Sequence, residues 1–283
     1  MGQIIGMINE KGGVGKTTGI TTMSEILGIA GHKVLIIDLD PQMNATSIYK
    51  DEDDEFELDN NQYLELFCNP SLSASKVDAM IYKSKYENIS LLPSSKYLKD
   101  LIYEIHNKNI ESKGSITPIF YKNIKHLKDK FDYIMIDNSP FDTEISRSTI
   151  CASDNILTPI RPDNFSFEGI ISLMGTINEI NNKYHVNVKF LGIYINQAKP
   201  NTVIYRQLSE QYGEQFDDVF IPILIREANA VYEANTVFEP LVTYAKKCNP
   251  VDDYIHLLSA IGLLDLKHYR KVSAFIRGGK TIG

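Results

Sequence analysis

The feature that most constrains this chain is a glycine-rich segment followed at once by lysine and two threonines, KGGVGKTT at residues 11–18. An apolar run from Ile4 to Ile8 precedes it, and apolar residues recur at helical spacing from Ile20 to Ala30. A short apolar run bounded by turn residues indicates a buried strand, and the spacing that follows indicates a helix. Glycines at a strand-to-helix junction are typical of a loop that binds phosphate.

The residue types in this loop match the chemistry of phosphate, which needs many hydrogen-bond donors at close range. Glycines allow backbone N–H groups to turn inward and approach the ligand, and the helix that begins near Lys16 adds the positive end of its dipole. The Lys16 ammonium would reach the β- and γ-phosphates, and the Thr17 hydroxyl would ligate Mg²⁺. The predicted nucleotide-binding residues of this loop are Gly12, Gly13, Val14, Gly15, Lys16, Thr17 and Thr18.

Apolar strands alternate with amphipathic helices along the rest of the chain. The predicted strands after the loop are Val34–Ile37, Ile89–Leu92, Tyr133–Ile136, Ile156–Ile160 and Phe190–Ile195. This alternation predicts an α/β fold with a mainly parallel sheet flanked by helices on both faces. No linker or repeat is visible, so we expect one α/β domain with a P-loop over residues 1–266, with an acidic surface loop at about 50–60 and a basic C-terminal tail at 267–283.

Charge excludes one class of protein and leaves another open. The chain has 29 Lys and Arg against 36 Asp and Glu, so its net charge of -7 excludes a surface that is basic throughout. Seven acids between Asp51 and Asp59 account for the whole imbalance, so a local basic patch remains possible. The acidic loop either is a solvated excursion or limits DNA binding or contacts a basic partner.

The cysteine pattern and hydropathy predict a cytoplasmic protein. Cys68, Cys151 and Cys248 are widely spaced and form no CxxC motif, which favours reduced thiols. No apolar run approaches the length of a membrane span, and no signal peptide is visible at the N-terminus.

Three carboxylates follow predicted strands. Asp38 and Asp40 follow the second strand, and Asp137 follows the strand Tyr133–Ile136. Ligands of open parallel sheets bind at the carboxyl ends of the strands, so these acids are candidates for a site shared with the glycine-rich loop.

The two motifs together resemble a known family. Asn9 to Thr18, followed by DLDPQ at 38–42 and NAT at 44–46, is similar to the deviant Walker A P-loop ATPases of the ParA/Soj type. These are plasmid and chromosome partition ATPases and relatives of MinD, and the resemblance covers about residues 3–264. As in that family, Lys11 is a second lysine at the start of the loop, and Glu10 stands where the standard P-loop has glycine.

The resemblance implies a cofactor set and a role for each site residue. ATP and Mg²⁺ would be bound, and two ATP-bound subunits would face each other, with Lys11 reaching the partner's nucleotide. Asp40 would orient or activate the attacking water, and Asp38 would lie near Mg²⁺ or the loop lysines. Asp137 would hold Mg²⁺ through water, although the family's usual D-x-P-P is here Asp137-Asn138-Ser139-Pro140, with one proline missing. Asn196 would read adenine through its amide, with an ordinary turn asparagine as the open alternative.

The implied function is a Mg-dependent ATPase that acts as a dimerisation switch in DNA partition. In this family the ATP-bound dimer binds DNA nonspecifically, and a ParB-like adaptor stimulates slow hydrolysis, so the protein would associate with the nucleoid in its ATP state. The candidate DNA contacts are Arg226, Lys267, Arg270 and Lys271, each with a plain surface charge as the alternative.

The sequence favours two other functions less strongly. A MinD-like membrane-associated or cargo-positioning ATPase is the main alternative, because the basic tail also carries apolar residues. Gly278 and Gly279 would interrupt a tail helix, which disfavours membrane attachment. A relative carrying an interfacial iron–sulfur cluster is disfavoured because no cysteine pair is positioned to hold one.

Overall fold

A single mainly parallel sheet forms the centre of the molecule. The computed structural model describes residues 1–51, 53–140, 143–162 and 167–278. Within these ranges the strands run in the order β3-β4-β2-β5-β1-β6-β7-β8, and only the short β3 is antiparallel to its neighbour. The strands are β1 (Gln3–Met7), β2 (Val34–Leu39), β3 (Tyr82–Lys83), β4 (Ile89–Leu92), β5 (Tyr133–Asn138), β6 (Asn155–Ile160), β7 (Lys189–Ala198) and β8 (Phe220–Arg226). The predicted α/β fold is confirmed.

Helices connect the strands and cover both faces of the sheet. They are α1 (Lys16–Ala30), α2 (Asn44–Tyr49), α3 (Asn60–Cys68), α4 (Ala74–Asp78), α5 (Leu98–Glu111), α6 (Ile119–Ile124), α7 (Glu144–Ala152), α8 (Phe167–Tyr184), α9 (Val203–Gln215), α10 (Asn229–Thr236), α11 (Leu241–Ala245), α12 (Asn249–Ala260) and α13 (Leu266–Ile276). In the part of the chain that the structure describes, no helix combines the length and apolar character needed to cross a membrane.

The two faces of the sheet carry separate cores because successive side chains of a strand point in opposite directions. In β1, Ile5 packs into the core formed with α1, α12 and α13, whereas Ile4 packs into the core formed with α3, α5 and α6. Both faces are therefore buried, which explains why the strands read as continuous apolar runs rather than alternating ones.

The strand order places the chemistry-bearing ends of three strands side by side. β5 lies between β2 and β1, and Asp137 of β5 is the register partner of both Asp38 in β2 and Met7 in β1. The glycine-rich loop leaves the end of β1 directly after this row. Residues that are about 30 and 130 positions apart in sequence thus meet at one edge of the sheet.

The basic segment at the C-terminal end forms helix α13 and packs on the core. Val272 and Ile276 are buried in the core that also contains α1 and α12, and the Lys271 ammonium donates to the carbonyl of Ala30. The Asp265 side chain caps the helix N-terminus. Residues 279–283 of the predicted tail lie outside the described residues, and the boundary at residue 266 stays a prediction.

Several acids of the acidic loop have local structural roles, among them Asp51 and Asp59. Asp51 pairs with Lys85 at 2.9 Å, and Asp59 forms a capping box with Gln62 at the start of α3. Glu52 lies outside the described residues. Most of the remaining acids are exposed.

Candidate nucleotide-binding site

A cavity of about 670 Å³ opens at the carboxyl edge of the sheet. The glycine-rich loop forms one side and the loop that carries Asp40 forms another, and Lys99, Asn235 and Phe238 close the rim. A second cavity of about 310 Å³ continues from it, since both are lined by Thr18, Gln197 and Asn235. The two spaces together offer a phosphate-sized end beside the loop and a further chamber next to Asn196.

The loop's conformation requires glycine at two positions. Gly13 has φ 71° and Gly15 has φ 92°, values that side-chain-bearing residues rarely adopt. A Cβ at Gly15 would also lie 2.1 Å from Nδ2 of Asn196. Helix α1 starts at Lys16 without a side-chain cap, so its first N–H groups face the cavity end with no internal side-chain acceptor. The predicted phosphate loop is thus built as an anion-binding turn.

Lys16 brings a buried positive charge to this loop. Its side chain is only 6% exposed, and Nζ donates to the carbonyls of Asn9 at 3.3 Å and Lys11 at 3.1 Å. Burial lowers the pKa of the ammonium, and the negative charges of Asp137 and Asp40 oppose that shift. A cation held by two neutral carbonyls in a buried site gains strongly from an anionic ligand.

Asp137 is the negative counterpart of that lysine. It is fully buried, and neither carboxylate oxygen has a hydrogen-bond partner of acceptable geometry among the described residues. Burial raises its pKa well above the usual value, and the charge of Asp38 adds to the shift. The nearby Thr17 hydroxyl and Lys16 act in the opposite direction. An unpartnered buried carboxylate is costly unless a ligand completes it.

The residues around Asp137 fit a magnesium ion that is shared with a nucleotide. Mg²⁺ prefers oxygen ligands and in nucleotide sites uses one or two protein groups together with phosphates and water. Asp137 supplies free carboxylate oxygens and Thr17 a hydroxyl, which is the predicted metal pair. Among the described residues, no group of three or more His, Cys, Asp or Glu side chains is arranged to hold a metal ion alone.

Asp38 and Asp40, predicted as catalytic residues, occupy different environments. Asp40 lines the cavity, and its Oδ1 accepts from the backbone N–H of Gln42 at 2.9 Å. Asp38 is fully buried, and its oxygens accept hydrogen bonds from the Asp40 N–H and from both the N–H and the hydroxyl of Thr46. Burial still raises the pKa of Asp38 to about 6. The carboxylate of Asp38 therefore stabilises the fold of this loop, whereas Asp40 lines the cavity where a ligand would bind.

Lys11 lies at the start of the phosphate loop and is partly exposed. Its backbone N–H donates to Oδ1 of Asn9 at 2.9 Å, and its carbonyl accepts from Lys16. The backbone of Lys11 therefore helps to hold the loop, and its role toward a second subunit stays a prediction.

Asn196 supports the phosphate loop directly. Its Nδ2 donates to the carbonyl of Val14 at 2.7 Å, and its Oδ1 accepts from the N–H of Gln197 at 3.0 Å. The side chain is 2% exposed and lines the smaller cavity. Both ends of the amide are thus engaged within the protein, and adenine recognition by Asn196 stays a prediction.

The candidate DNA contacts differ in their availability. The guanidinium of Arg226 makes a bidentate ion pair with Asp253, with Nη2 2.6 Å from Oδ1, and Lys271 donates to Ala30. Lys267 and Arg270 lie on the exposed side of α13. Of the four, these last two have charges that face solvent.

Two buried side chains that hydrogen-bond to distant segments, Ser94 and Glu25, were not predicted from the sequence. Ser94, which follows β4, donates from Oγ to the carbonyl of Asp40 at 2.7 Å. Glu25 of α1 is buried and accepts from the N–H of Val242 and from the N–H and hydroxyl of Thr243, which ties α1 to the start of α11. Only a serine directly after an apolar strand could have drawn attention to Ser94. Nothing local distinguishes Glu25 from an exposed glutamate.

Comparisons with known proteins agree with this fold. A family model described as an AAA domain matches residues 2–190. An uncharacterized protein of Pseudomonas putida is 30% identical over 264 residues, which cover 91% of this chain and 93% of that protein. The sporulation initiation inhibitor protein Soj of Bacillus subtilis is 24% identical over 266 residues, which cover 92% and 98%. Among solved structures, an ATP complex of McdA from Cyanothece superposes with a TM-score of 0.77 at 21% identity, covering 94% of this chain and 98% of that one.

Proposed function

Because this chain belongs to the ParA/Soj type of P-loop ATPases, which are relatives of MinD, we propose that it is an ATP-dependent dimerisation switch that partitions plasmid or chromosomal DNA. In this proposal ATP binding closes a dimer that binds DNA nonspecifically. Slow hydrolysis, stimulated by a ParB-like adaptor, then releases it.

One observation carries the ATPase part of the proposal: the buried Lys16 lines the cavity beside the glycine-rich loop, and the buried carboxylate of Asp137 lies close enough for its charge to act on that lysine. Nζ of Lys16 donates to two neutral carbonyls, and neither oxygen of Asp137 accepts a hydrogen bond of acceptable geometry among the described residues. A triphosphate carried with Mg²⁺ would supply the missing anion to the one and the missing cation to the other.

In this proposal the residues of the site have separate tasks in the reaction. The backbone N–H groups of residues 12–15 and the Lys16 ammonium bind and orient the phosphates. Thr17 and Asp137 would hold Mg²⁺, which would offset the negative charge of the phosphates. Asp40 accepts a hydrogen bond from the attacking water and orients it toward the terminal phosphate.

We assign Lys11 the task of completing the site of a second copy. A cation supplied across a dimer stabilises charge that develops on the transferred phosphoryl group, so hydrolysis depends on dimerisation. Lys11→Ala should keep the ATP affinity of the wild type and lose turnover. Sedimentation velocity with ATP and with ADP should show a dimer only with ATP. A normal turnover rate in the Lys11 variant would contradict the assignment.

The DNA-binding part of the proposal rests on helix α13. Its exposed side carries Lys267, Arg270 and Arg277 at helical spacing, while its apolar side packs on the core. Phosphate contacts from such side chains release counterions from DNA. The logarithm of the binding constant should therefore fall linearly with the logarithm of the salt concentration. This binding would place the protein on the nucleoid in its ATP state.

A charge-reversal pair tests this surface. Lys267→Glu with Arg270→Glu should weaken ATP-dependent binding to a random-sequence duplex and reduce the salt slope by about 2. The control pair, Lys83→Glu with Lys189→Glu, changes the net charge equally at exposed positions in β3 and β7. It should leave DNA binding near the wild-type level. Equal losses in both pairs would show that net charge, not this helix, governs DNA affinity.

The membrane alternative is tested in the same assay with anionic liposomes. Val272 and Ile276, the apolar residues that would enter a bilayer, are buried in the core. We therefore expect ATP-dependent sedimentation with DNA and none with liposomes. Retention on liposomes but not on DNA would favour a MinD-like function instead.

A further inference from the structure

The loop that carries Asp40 is held at its backbone as well as at its side chain. The Asp40 N–H donates to Oδ1 of Asp38 at 3.0 Å. The Asp40 carbonyl accepts from the hydroxyl of Ser94 at 2.7 Å and from the N–H of Met43 at 2.9 Å. Both backbone polar groups of Asp40 are thus fixed by hydrogen bonds to other residues.

Ser94 and Asp38 are themselves joined through Thr46. The Thr46 hydroxyl donates to Oδ2 of Asp38 at 2.7 Å and accepts from the Ser94 N–H at 2.8 Å. The Thr46 N–H also donates to Oδ2 of Asp38 at 2.8 Å. The result is a closed ring of hydrogen bonds through Asp38, Asp40, Ser94 and Thr46, which we call the Asp40 bracket.

The Asp40 bracket joins three separate segments of the chain. Asp38 lies in β2, Thr46 in α2, and Ser94 two residues beyond the end of β4. Asp38, Thr46 and Ser94 are 0%, 3% and 4% exposed, so water does not compete for these bonds. The Tyr63 hydroxyl of α3 donates to the carbonyl of Pro93 and anchors the third segment from the other side.

Such a closed, buried ring leaves the loop few alternative positions. A carboxylate that orients water must be held within a fraction of an ångström, because a misplacement of about 1 Å can cost roughly 100-fold in rate. Asp40 contributes its carboxylate to the cavity. Two hydrogen bonds of the bracket hold the backbone that carries this carboxylate, and the others join Asp38, Thr46 and Ser94 to one another.

We infer that Ser94 and Thr46, together with Asp38, are positioning residues for hydrolysis, which act by fixing the backbone of Asp40. This inference rests on the proposed ATPase function. Asp38 then contributes to turnover through the peptide of Asp40 rather than by touching nucleotide or metal.

The test compares Ser94→Ala with the matched variant Ser95→Ala. Ser95 is also buried, but among the described residues the one hydrogen bond of its Oγ comes from the N–H of Tyr97 within its own turn. Steady-state ATPase rates and the binding of a fluorescent ATP analogue are measured for both. Ser94→Ala should lower kcat roughly tenfold and leave KM and analogue affinity within about twofold, whereas Ser95→Ala should match the wild type.

Thr46 provides a second pair that guards against a misfolded first variant. Thr46→Val removes the hydroxyl that joins Asp38 to Ser94 and should lower kcat at least tenfold. Thr46→Ser keeps the hydroxyl and the N–H and should restore kcat to within about twofold of the wild type. Rescue by serine separates the hydrogen bond from simple filling of space.

The outcomes separate the inference from the function on which it rests. A wild-type chain without ATPase activity would overturn the proposed function and the inference with it. Wild-type hydrolysis with unchanged kcat in Ser94→Ala would overturn the inference alone. An equal fall in kcat and ATP-analogue affinity, or an equal fall in Ser95→Ala, would also overturn it by showing a general effect on the fold.

Discussion

Asp38 and Asp137 are adjacent in the sheet, equally buried and similar in sequence context, yet the protein treats them in opposite ways. Each follows an apolar strand segment, and they are register partners in β2 and β5. Asp38 accepts three hydrogen bonds from its own loop, whereas neither oxygen of Asp137 has a partner of acceptable geometry among the described residues. Asp38 is hydrogen-bonded within the fold, whereas the oxygens of Asp137 are available for the magnesium ion that we propose.

Glu25 extends the comparison to a third buried carboxylate. It accepts three hydrogen bonds, as Asp38 does, and burial raises its pKa to about 7, while that of Asp38 rises to about 6. Burial also raises the pKa of Asp137 well above its usual value. Three donors thus limit the cost of burying a carboxylate but do not remove it. All three acids are buried, so burial does not distinguish them. Asp38 and Glu25 differ from Asp137 in the number of hydrogen-bond donors that the protein provides to their carboxylates.

The largest effect is expected from replacing the two aspartates in parallel. Asp137→Asn should lower ATPase activity roughly 1000-fold, because it removes the charge that the ligand needs. In the nucleotide-free protein the same change should leave the free energy of unfolding unchanged or raise it, because an unpaired buried charge is removed.

Asp38→Asn should instead lower the free energy of unfolding by about 2 kcal/mol, because its amide N–H₂ would face the donors of Thr46 or Asp40. Urea unfolding of both variants without nucleotide measures the contrast. An equal loss of unfolding free energy in the two variants would contradict the expected difference between Asp38 and Asp137.

Lys16→Ala tests the positive member of the ligand-facing region. Removing the ammonium deletes charge-assisted hydrogen bonds to phosphate and should weaken ATP binding roughly 100-fold, or about 3 kcal/mol. Isothermal titration with ATP measures this change. Lys99→Ala, at the rim of the same cavity, is the matched control and should have a much smaller effect. Unchanged ATP affinity in Lys16→Ala would place the phosphates elsewhere.

Glu25 makes the stability of the protein depend on pH. Its folded pKa of about 7 lies above the ordinary value of 4.5, so its stabilising contribution is complete below that ordinary value. The contribution is lost as the pH rises through about 7. The loss is about 3 kcal/mol at roughly 1.4 kcal/mol per unit of pKa.

The difference between the wild type and Glu25→Gln in urea unfolding isolates this group from the other buried acids. Between about pH 4 and pH 8, the unfolding free energy of the wild type should fall relative to that of the variant. Parallel pH profiles would show that the three donors fully offset the burial of Glu25.

Asn196→Ala should have the smallest effect and decides between two roles of the amide. If Asn196 supports the loop at Val14, the affinities for ATP and GTP should fall together by roughly fivefold, which is about 1 kcal/mol for one hydrogen bond. Nucleotide titrations with both triphosphates measure this. A loss confined to ATP would assign the amide to adenine recognition.

Much of the fold could be predicted from the sequence because its strongest signals are local. The strands β1, β2, β4, β5, β6 and β7 read as apolar runs, since a parallel strand covered on both faces needs apolar residues throughout. The strands β3 and β8 were not predicted. Tyr82 and Lys83 form only a two-residue antiparallel edge, and β8 contains Pro222 and lies at the other edge. Edge strands carry weaker patterns because one side faces no neighbour.

The phosphate loop is the part of the site that sequence determined, because its geometry depends on adjacent residues: glycines at the junction, a lysine at the first turn of the helix and hydroxyls beside it. The tertiary structure alone decided which carboxylates are hydrogen-bonded within the protein. Asp38 and Asp137 look alike in sequence, and only the packing of β2 against α2 and the segment after β4 brings Thr46 and Ser94 to Asp38. Hydrogen-bond donors from distant segments are set by the way the chain packs and not by neighbouring residues, so the sequence marked where acids would gather but not which of them would remain free.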